Sequence, residues 1–270
     1  MPPLVPIVVS AHNPSPMTGG GNNTYLIAAP DGEATLIDAG VGHPDHLDDL
    51  DRELRAHAAR LARVLVTHGH SDHASGAPVL AAAHRHAMFA KYPWREEDHK
   101  YGVPWHPLSD GDTIVVGDDE LVAIYTPGHA PDHLAFWHEP TRTVFSGDLV
   151  VADTSVMINA SRGGSLIEYL ASLERVLALA PRALLPAHGP APSDPAALIA
   201  GYIRHRALRE RQVISALGGG HSTVQAIAES IYHGLDPSLM PAARENVRAH
   251  LEKLRLEQRA ADEAGSWRLL

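Results

Sequence analysis

The segment Thr67-His68-Gly69-His70-Ser71-Asp72-His73 places three imidazoles and a carboxylate within six residues. Core packing does not ask for such a density of polar groups, because burying them unpaired is costly. Metal ligation does ask for it, histidine being the commonest protein ligand. The apolar run Val64–Val66 precedes the segment, so it lies on a strand-to-helix turn that can aim alternate side chains at a common point. His68 and His70 can share one metal, while Asp72 and His73 point toward a second. Three further candidates stand at the ends of predicted strands: His129 in Thr-Pro-Gly-His, Asp148 in Ser-Gly-Asp, and His188 in Pro-Ala-His-Gly. Five histidines and two aspartates supply two divalent first-row cations. Nitrogen and oxygen donors without sulfur fit Zn2+ best, with Mn2+ and Fe2+ as alternatives.

Short β-branched runs and helical patterns must position these groups. Residues 24–29 and 34–38 flank Pro30-Asp31-Gly32 and predict a hairpin. Leu47, Leu50, Leu54, Ala58 and Leu61 recur at helical spacing over 45–61, and 63–68 is a buried strand. Residues 74–86 are helical, with Pro78 near the start of the regular part. Four strands are expected at 113–116, 121–126, 133–138 and 142–147, a helix at 166–179, and a strand at 183–189. The pattern then changes. Helices are predicted over 196–217, from a capping box at Ser222-Thr223-Val224-Gln225, and over 241–259. The chain divides into a β-rich body, residues 1–194, and a small helical module, residues 195–270.

Composition narrows the function classes. With no cysteine, disulfides, thiolate sites and cysteine nucleophiles are excluded, whereas 19 histidines stand out among the 270 residues. The net charge is −10. Residues 195–270 carry 10 Lys and Arg against 8 Asp and Glu, leaving 12 against 24 for the body, an acidic balance that argues against extended nucleic-acid contact. No stretch is apolar enough to span a bilayer, and the opening residues lack a basic n-region. A cytoplasmic protein with no membrane association is expected.

The H-x-H-x-D-H run, followed by separate His, Asp and His elements, resembles the metallo-β-lactamase fold superfamily over nearly the whole chain. The stretches 13–19, 23–26 (Asn-Thr-Tyr-Leu), 36–40 (Leu-Ile-Asp-Ala-Gly) and 146–148 are similar to one branch, the glyoxalase-II-like hydrolases and a β-lactamase-like endoribonuclease that carry a C-terminal winged-helix-like module. The resemblance implies an α/β fold, an αββα sandwich with the metals at one edge. It assigns His68, His70 and His129 to the first metal and Asp72, His73 and His188 to the second. Asp148 would bridge them and Asp38 would support them from behind. A metal-bridging hydroxide would be the nucleophile, with Asp72 as the catalytic residue that orients it. Two departures leave every ligand position filled: Pro186-Ala187-His188-Gly189 where the family often has Pro-Gly-His-Gly, and Ala74-Ser75-Gly76 after the first motif.

Bland readings fit most other candidates. His43, His46, His57, His84, His86 and His99 are read as surface or loop residues, and His133 as a supporting group rather than a ligand. Tyr25, Trp94 and Trp105 could line a pocket, while Trp137 is read as core. The irregular aromatic stretch 90–107 and the loop 156–165 border the substrate or are plain surface. Arg204, Arg206, Arg209 and Arg211 are read as a solvated helix face in preference to an RNA contact. The leading expectation is a dinuclear-zinc hydrolase acting on a small-molecule ester, thioester or lactone. The alternative is an endoribonuclease cleaving single-stranded RNA. Side activity on β-lactams and a mono-iron persulfide dioxygenase stand further off, and the helical module could contribute a homodimer contact.

Overall fold

The computed structural model describes residues 4–15, 18–152 and 155–270; Pro16 and Met17 of the 13–19 stretch lie outside the described residues. The first sheet and its helices comprise β1 (Ile7–Ser10), β2 (Asn23–Ala28), β3 (Glu33–Ile37), α1 (Pro44–Ala56), β4 (Arg60–Leu65), α2 (Ser71–Ala74), α3 (Ala77–Ala83), β5 (Met88–Lys91), α4 (Arg95–Asp98) and β6 (Trp105–Pro107). The second comprises β7 (Thr113–Val116), β8 (Asp119–Tyr125), β9 (Leu134–His138), β10 (Thr143–Gly147), α5 (Leu166–Ala178) and β11 (Ala183–Pro186). The remainder forms α6 (Pro195–Gly218), α7 (Val224–Ile231), α8 (Met240–Leu256), β12 (Ala260–Glu263) and β13 (Ser266–Leu269).

The six-stranded sheet runs β1 to β6 in chain order, and the five-stranded sheet runs β11-β10-β9-β8-β7. Alternation along the strands gives each sheet two apolar faces. Tyr25, Ile27, Ile37 and Leu65 meet Leu121, Leu134, Phe136 and Phe145 between the sheets. Leu26, Leu36 and Val64 face the other way, onto Leu50, Leu54 and Leu80 of α1 and α3. Trp137, Val144 and Leu184 pack outward on Leu173, Val176, Ile199 and Tyr202 of α5 and α6. These four layers make the αββα sandwich. A separate cluster joins Val213, Ile227, Val247, Leu251 and Trp267 in the helical module. Among the described residues no helix is long and apolar enough to cross a membrane.

Several boundaries differ from the sequence pattern, each for a local reason. The helix expected over 45–61 ends at Ala56, since Ala58 takes a left-handed turn (φ 50°) and β4 begins at Arg60. The helix expected over 74–86 starts near Pro78 as expected, as α3 from Ala77 to Ala83, and Ala74 belongs to the separate turn α2, from which it is split at Gly76. The capping box shifts by one residue: Thr223, not Ser222, caps α7 by accepting from the Ala226 amide. The antiparallel β12–β13 hairpin is the wing that the resemblance to a winged-helix-like module implies, although the residue pattern of the tail reads as helical. The stretch 90–107 contains the end of β5, α4 and β6, so much of it is ordered scaffold.

His46, read as a surface residue, is fully buried, with Nε2 3.0 Å from the Thr24 hydroxyl. The arginine run is not one solvated face either. Arg206 is 2% exposed and Arg209 stacks on Tyr232 at 4.6 Å, leaving Arg204 and Arg211 in solvent.

The split at Gly76 is set by close backbone approach. A Cβ there would stand 2.1 Å from the Ala39 carbonyl oxygen and 2.7 Å from the Gly42 nitrogen, neither of which is a flexible side-chain end. Gly76→Ala is expected to cost about 3 kcal/mol, lowering the melting temperature by roughly 6–12 °C in thermal unfolding. Burial lowers the pKa of His46 to about 4. Its folded value lies below the unfolded one, so its contribution is intact above pH ~6.5 and is lost as pH falls toward 4. Thermal scans of wild type and His46→Gln should show part of the acid sensitivity between those values disappearing in the variant.

Candidate metal centre

All seven predicted residues converge at the edge where the two sheets open. His68 and His70 leave the end of β4, Asp72 and His73 sit in the single turn α2, and His129, Asp148 and His188 follow β8, β10 and β11. Glycines allow the loops to close. Gly128 has φ 127°, and a Cβ there would fall 2.2 Å from the backbone nitrogen of Tyr169 on α5. Gly147 has φ 49°, and a Cβ there would fall 2.7 Å from His133 Nε2.

The donors form two groups. His70 Nδ1 lies 2.9 Å from His68 Nε2 and 3.0 Å from His129 Nε2. Asp72 Oδ2 lies 3.5 Å from His73 Nε2 and 3.4 Å from His188 Nε2. Asp148 stands between them. Its Oδ1 is 3.4 Å from His73 Nε2 and 3.2 Å from His188 Nε2, and its Oδ2 is 3.4 Å from His129 Nε2. Four ligands at about 2.0–2.1 Å from a tetrahedral cation would stand about 3.3 Å apart. The spacings fit.

Hydrogen bonds behind the donors settle which nitrogens carry lone pairs. His73 Nδ1 is 2.8 Å from Asp38 Oδ2, and a carboxylate only accepts, so Nδ1 bears the proton. The Thr67 hydroxyl donates to the same carboxylate and therefore accepts from His68 Nδ1 at 3.1 Å. His129 Nδ1 donates to the Met157 carbonyl at 2.9 Å. The Nε2 atoms of His68, His73 and His129 are thus turned inward, the arrangement that metal sites use to fix tautomer and ring orientation. His70 Nδ1 can donate a proton to only one of its two close neighbours, whereas a cation would satisfy all three nitrogens.

Charge divides the centre in the same way. Burial holds His68 far below the ordinary imidazole range, helped by His73, His70 and His129. Burial also takes His70 down to about 3 and lowers His129. Burial acts the same way on His73, but Asp72, Asp38 and Asp148 overrule it and draw its pKa well above normal. At His188 burial is overruled by Asp148 and Asp72, and the value rises to about 9. Burial alone would raise both carboxylates, yet His73 and His188 hold Asp72 and Asp148 below the usual range. One group is a neutral nitrogen cage; the other demands positive charge.

The supporting roles expected of Asp38 and His133 hold. His133 is fully buried between the Thr126 hydroxyl at 2.8 Å and the Asp148 amide, which donates to its Nε2 at 3.1 Å. Trp137 is core, and the Tyr25 hydroxyl is spent on the Pro186 carbonyl. Trp94 packs near His70 with ring centroids 6.2 Å apart. Sequence reasoning missed Asn22, whose side-chain nitrogen donates to Asp72 Oδ2 at 3.2 Å and lies 3.3 Å from His73 Nε2. It also missed buried Lys91 and Asp132, paired at 2.8 Å, of which Asp132 accepts from the Gly69 amide at 2.7 Å. The 90–107 and 156–165 stretches are tied together by Arg162 and Glu97 at 3.0 Å.

Residues 17–188 match the family described as "Metallo-beta-lactamase superfamily", and residues 223–267 match "Beta-lactamase associated winged helix domain". The lactamase-like protein vrtG of Penicillium aethiopicum is 35% identical over 77% of this chain, which spans 64% of that relative. A beta-lactamase-like protein 2 homolog of Drosophila melanogaster is 29% identical over 91% of this chain and 86% of its own. An atrochrysone carboxyl ACP thioesterase of Aspergillus chevalieri is 32% identical, covering 85% and 73%. A metallo-beta-lactamase family protein of Thermus thermophilus superposes with a TM-score of 0.78 at 21% identity, over 100% of this chain and 99% of that one, a likeness of fold. The chain belongs to the metallo-beta-lactamase superfamily of hydrolases and carries that family's associated winged helix domain.

Proposed function

We propose that this chain is a dinuclear zinc hydrolase that cleaves a small-molecule thioester, ester or lactone at its carbonyl. The observation that carries the reading is Asp148, with one oxygen facing the His129 group and the other facing the His73–His188 group. The donors are all nitrogen and oxygen, which suits zinc. His68, His70 and His129 would hold one ion, Asp72, His73 and His188 the other, and Asp148 both. Bound there, a pair of divalent cations supplies Lewis-acid polarisation of the carbonyl and lowers the pKa of water.

The chain's own groups do the rest. Asp72 is partly open to solvent, and Asn22 pins its Oδ2, so the carboxylate is fixed where it can orient water and accept its proton. Water adds to the carbonyl carbon, the carbon–sulfur or carbon–oxygen bond breaks, and the departing thiolate or alkoxide takes up the proton. The products are a carboxylic acid and a thiol or alcohol. Thioesters come first because the Aspergillus relative is named as a thioesterase. The RNA reading rests on the winged helix, but burial of Arg206 and stacking of Arg209 break up the basic run that would contact phosphates.

Metal analysis of purified protein is expected to find two zinc ions per chain, and thiol release from a panel of acyl thioesters should show turnover. Asp72→Asn should weaken binding of the second ion and lose at least 100-fold in kcat/KM even with zinc in excess. One iron and no zinc would overturn the metal assignment. No turnover of any thioester, ester or lactone with two zincs bound would overturn the substrate class, and cleavage of an end-labelled single-stranded RNA that vanishes in Asp72→Asn would replace it with the nuclease reading.

A further inference from the structure

The Met157 carbonyl that fixes the His129 tautomer belongs to a segment held from the other end of the chain. The Ile158 amide donates to Asn246 Oδ1 on α8 at 3.1 Å. The Ser161 amide and hydroxyl donate to Glu245 Oε2 and Oε1 at 2.9 and 2.8 Å. On the other side of Met157, the Val156 carbonyl accepts from Arg206 Nη2 on α6. Arg206 Nη1 donates to Asn246 Oδ1 at 3.2 Å, so that one oxygen receives two donors and the amide orientation is settled.

Arg206 is an expensive residue to place here. It is 2% exposed, and among the described residues no carboxylate pairs with it. Its charge is met by the Val156 carbonyl, the Asn246 amide oxygen and the Tyr169 ring, whose centroid lies 5.3 Å from the guanidinium carbon. A buried cation satisfied only by neutral partners is costly. Those partners lie on the 156–161 segment, on α8 and on α5, the helix against which Gly128 packs. The arrangement locks the carbonyl between Val156 and Ile158 at the height of His129.

We infer that Asn246 and Arg206, with Glu245, are positioning residues for His129: the winged-helix module clamps residues 156–161 so that Met157 presents its carbonyl to Nδ1 and turns Nε2 into the metal centre. The inference rests on the proposed role of His129 as a ligand. It gives the module a part in building the site, separate from any contact with substrate.

The test measures zinc affinity of the full chain, by competition with a chromophoric chelator, together with the 15N shifts of the His129 ring in metal-free protein. Asn246→Ala should weaken zinc binding about ten-fold and convert His129 from the Nδ1–H tautomer to a mixture. Asn246→Asp keeps the accepting oxygen and should restore both readouts. Glu245→Ala, at the rim of the clamp, should move both in the same direction by less, and serves if Asn246→Ala does not fold. Lys253→Ala breaks the 2.6 Å pair between α8 and Glu210 without touching 156–161; it should lower the melting temperature and leave zinc affinity unchanged. Wild-type affinity and unshifted His129 in Asn246→Ala would overturn the clamp, as would an equal loss of affinity in Lys253→Ala. If wild type takes up no zinc, the metal reading falls by itself. The His129 tautomer in metal-free wild type and Asn246→Ala then still decides the clamp: a mixture only in the variant supports it, and the same tautomer in both overturns it.

Discussion

Asp38 occupies a left-handed backbone conformation, φ 64°, with its carboxylate buried. A non-glycine residue persists there only when its surroundings over-determine it, at a cost of about 1–3 kcal/mol. The surroundings here are the Thr67 amide at 2.7 Å, the Thr67 hydroxyl at 3.0 Å and His73 Nδ1 at 2.8 Å, while its own amide is tied to the Leu65 carbonyl. Through His73 directly and His68 by way of Thr67, this one carboxylate sets two tautomers, one in each donor group. The strain is local and the benefit is shared, because β3 brings Asp38 beside the end of β4, where the ligand turn begins.

Support of this kind recurs around the centre. Asp132 holds the Gly69 amide while the Tyr101 hydroxyl donates to the Gly69 carbonyl at 2.6 Å, so the two peptide units that join His68 to His70 are both fixed. Buried Lys91 is the partner that keeps Asp132 ionisable, against a burial effect that raises its pKa to about 6. His133 plays the equivalent part under Asp148 by accepting from its amide. In each case a charged or polar residue is buried one step behind one of the clustered donors, and its cost is met by bonds that aim that donor.

The seven clustered donors were legible in the sequence because they lie at strand ends in short glycine-bearing motifs, where local order is enough to place them. Alternation and helical spacing revealed most strands of the sandwich and the helices α1, α5, α6 and α8. What escaped shares a physical reason. Asn22, Lys91, Arg206 and His46 are polar residues each with a partner far along the chain, and nothing in their neighbours distinguishes a buried polar group from a solvated one. β1, β5 and β6, of 3 or 4 residues, also escaped, although β7 and β11, equally short, were legible. The wing was implied by the resemblance but left no strand pattern, because Glu263 and Arg268 pair across it in solvent and Trp267 is its one large buried side chain.

The change of pattern at residue 195 marks a change of secondary structure, but the physical seam lies further on. The first half of α6 belongs to the sandwich: Ile199 and Tyr202 fill the outer cluster with Trp137, Val144 and Leu173, and the Tyr202 hydroxyl is bonded to the Val151 backbone. The second half, from Val213 to Leu217, belongs to the module cluster. Arg206 stands between the two. A helix shared by two cores transmits the position of one to the other as a rigid body, since neither cluster can repack alone without opening apolar surface to water. Residues 156–161, lying in the angle between α6, α8 and the metal centre, therefore take their position from both halves of the chain, and His129 inherits it.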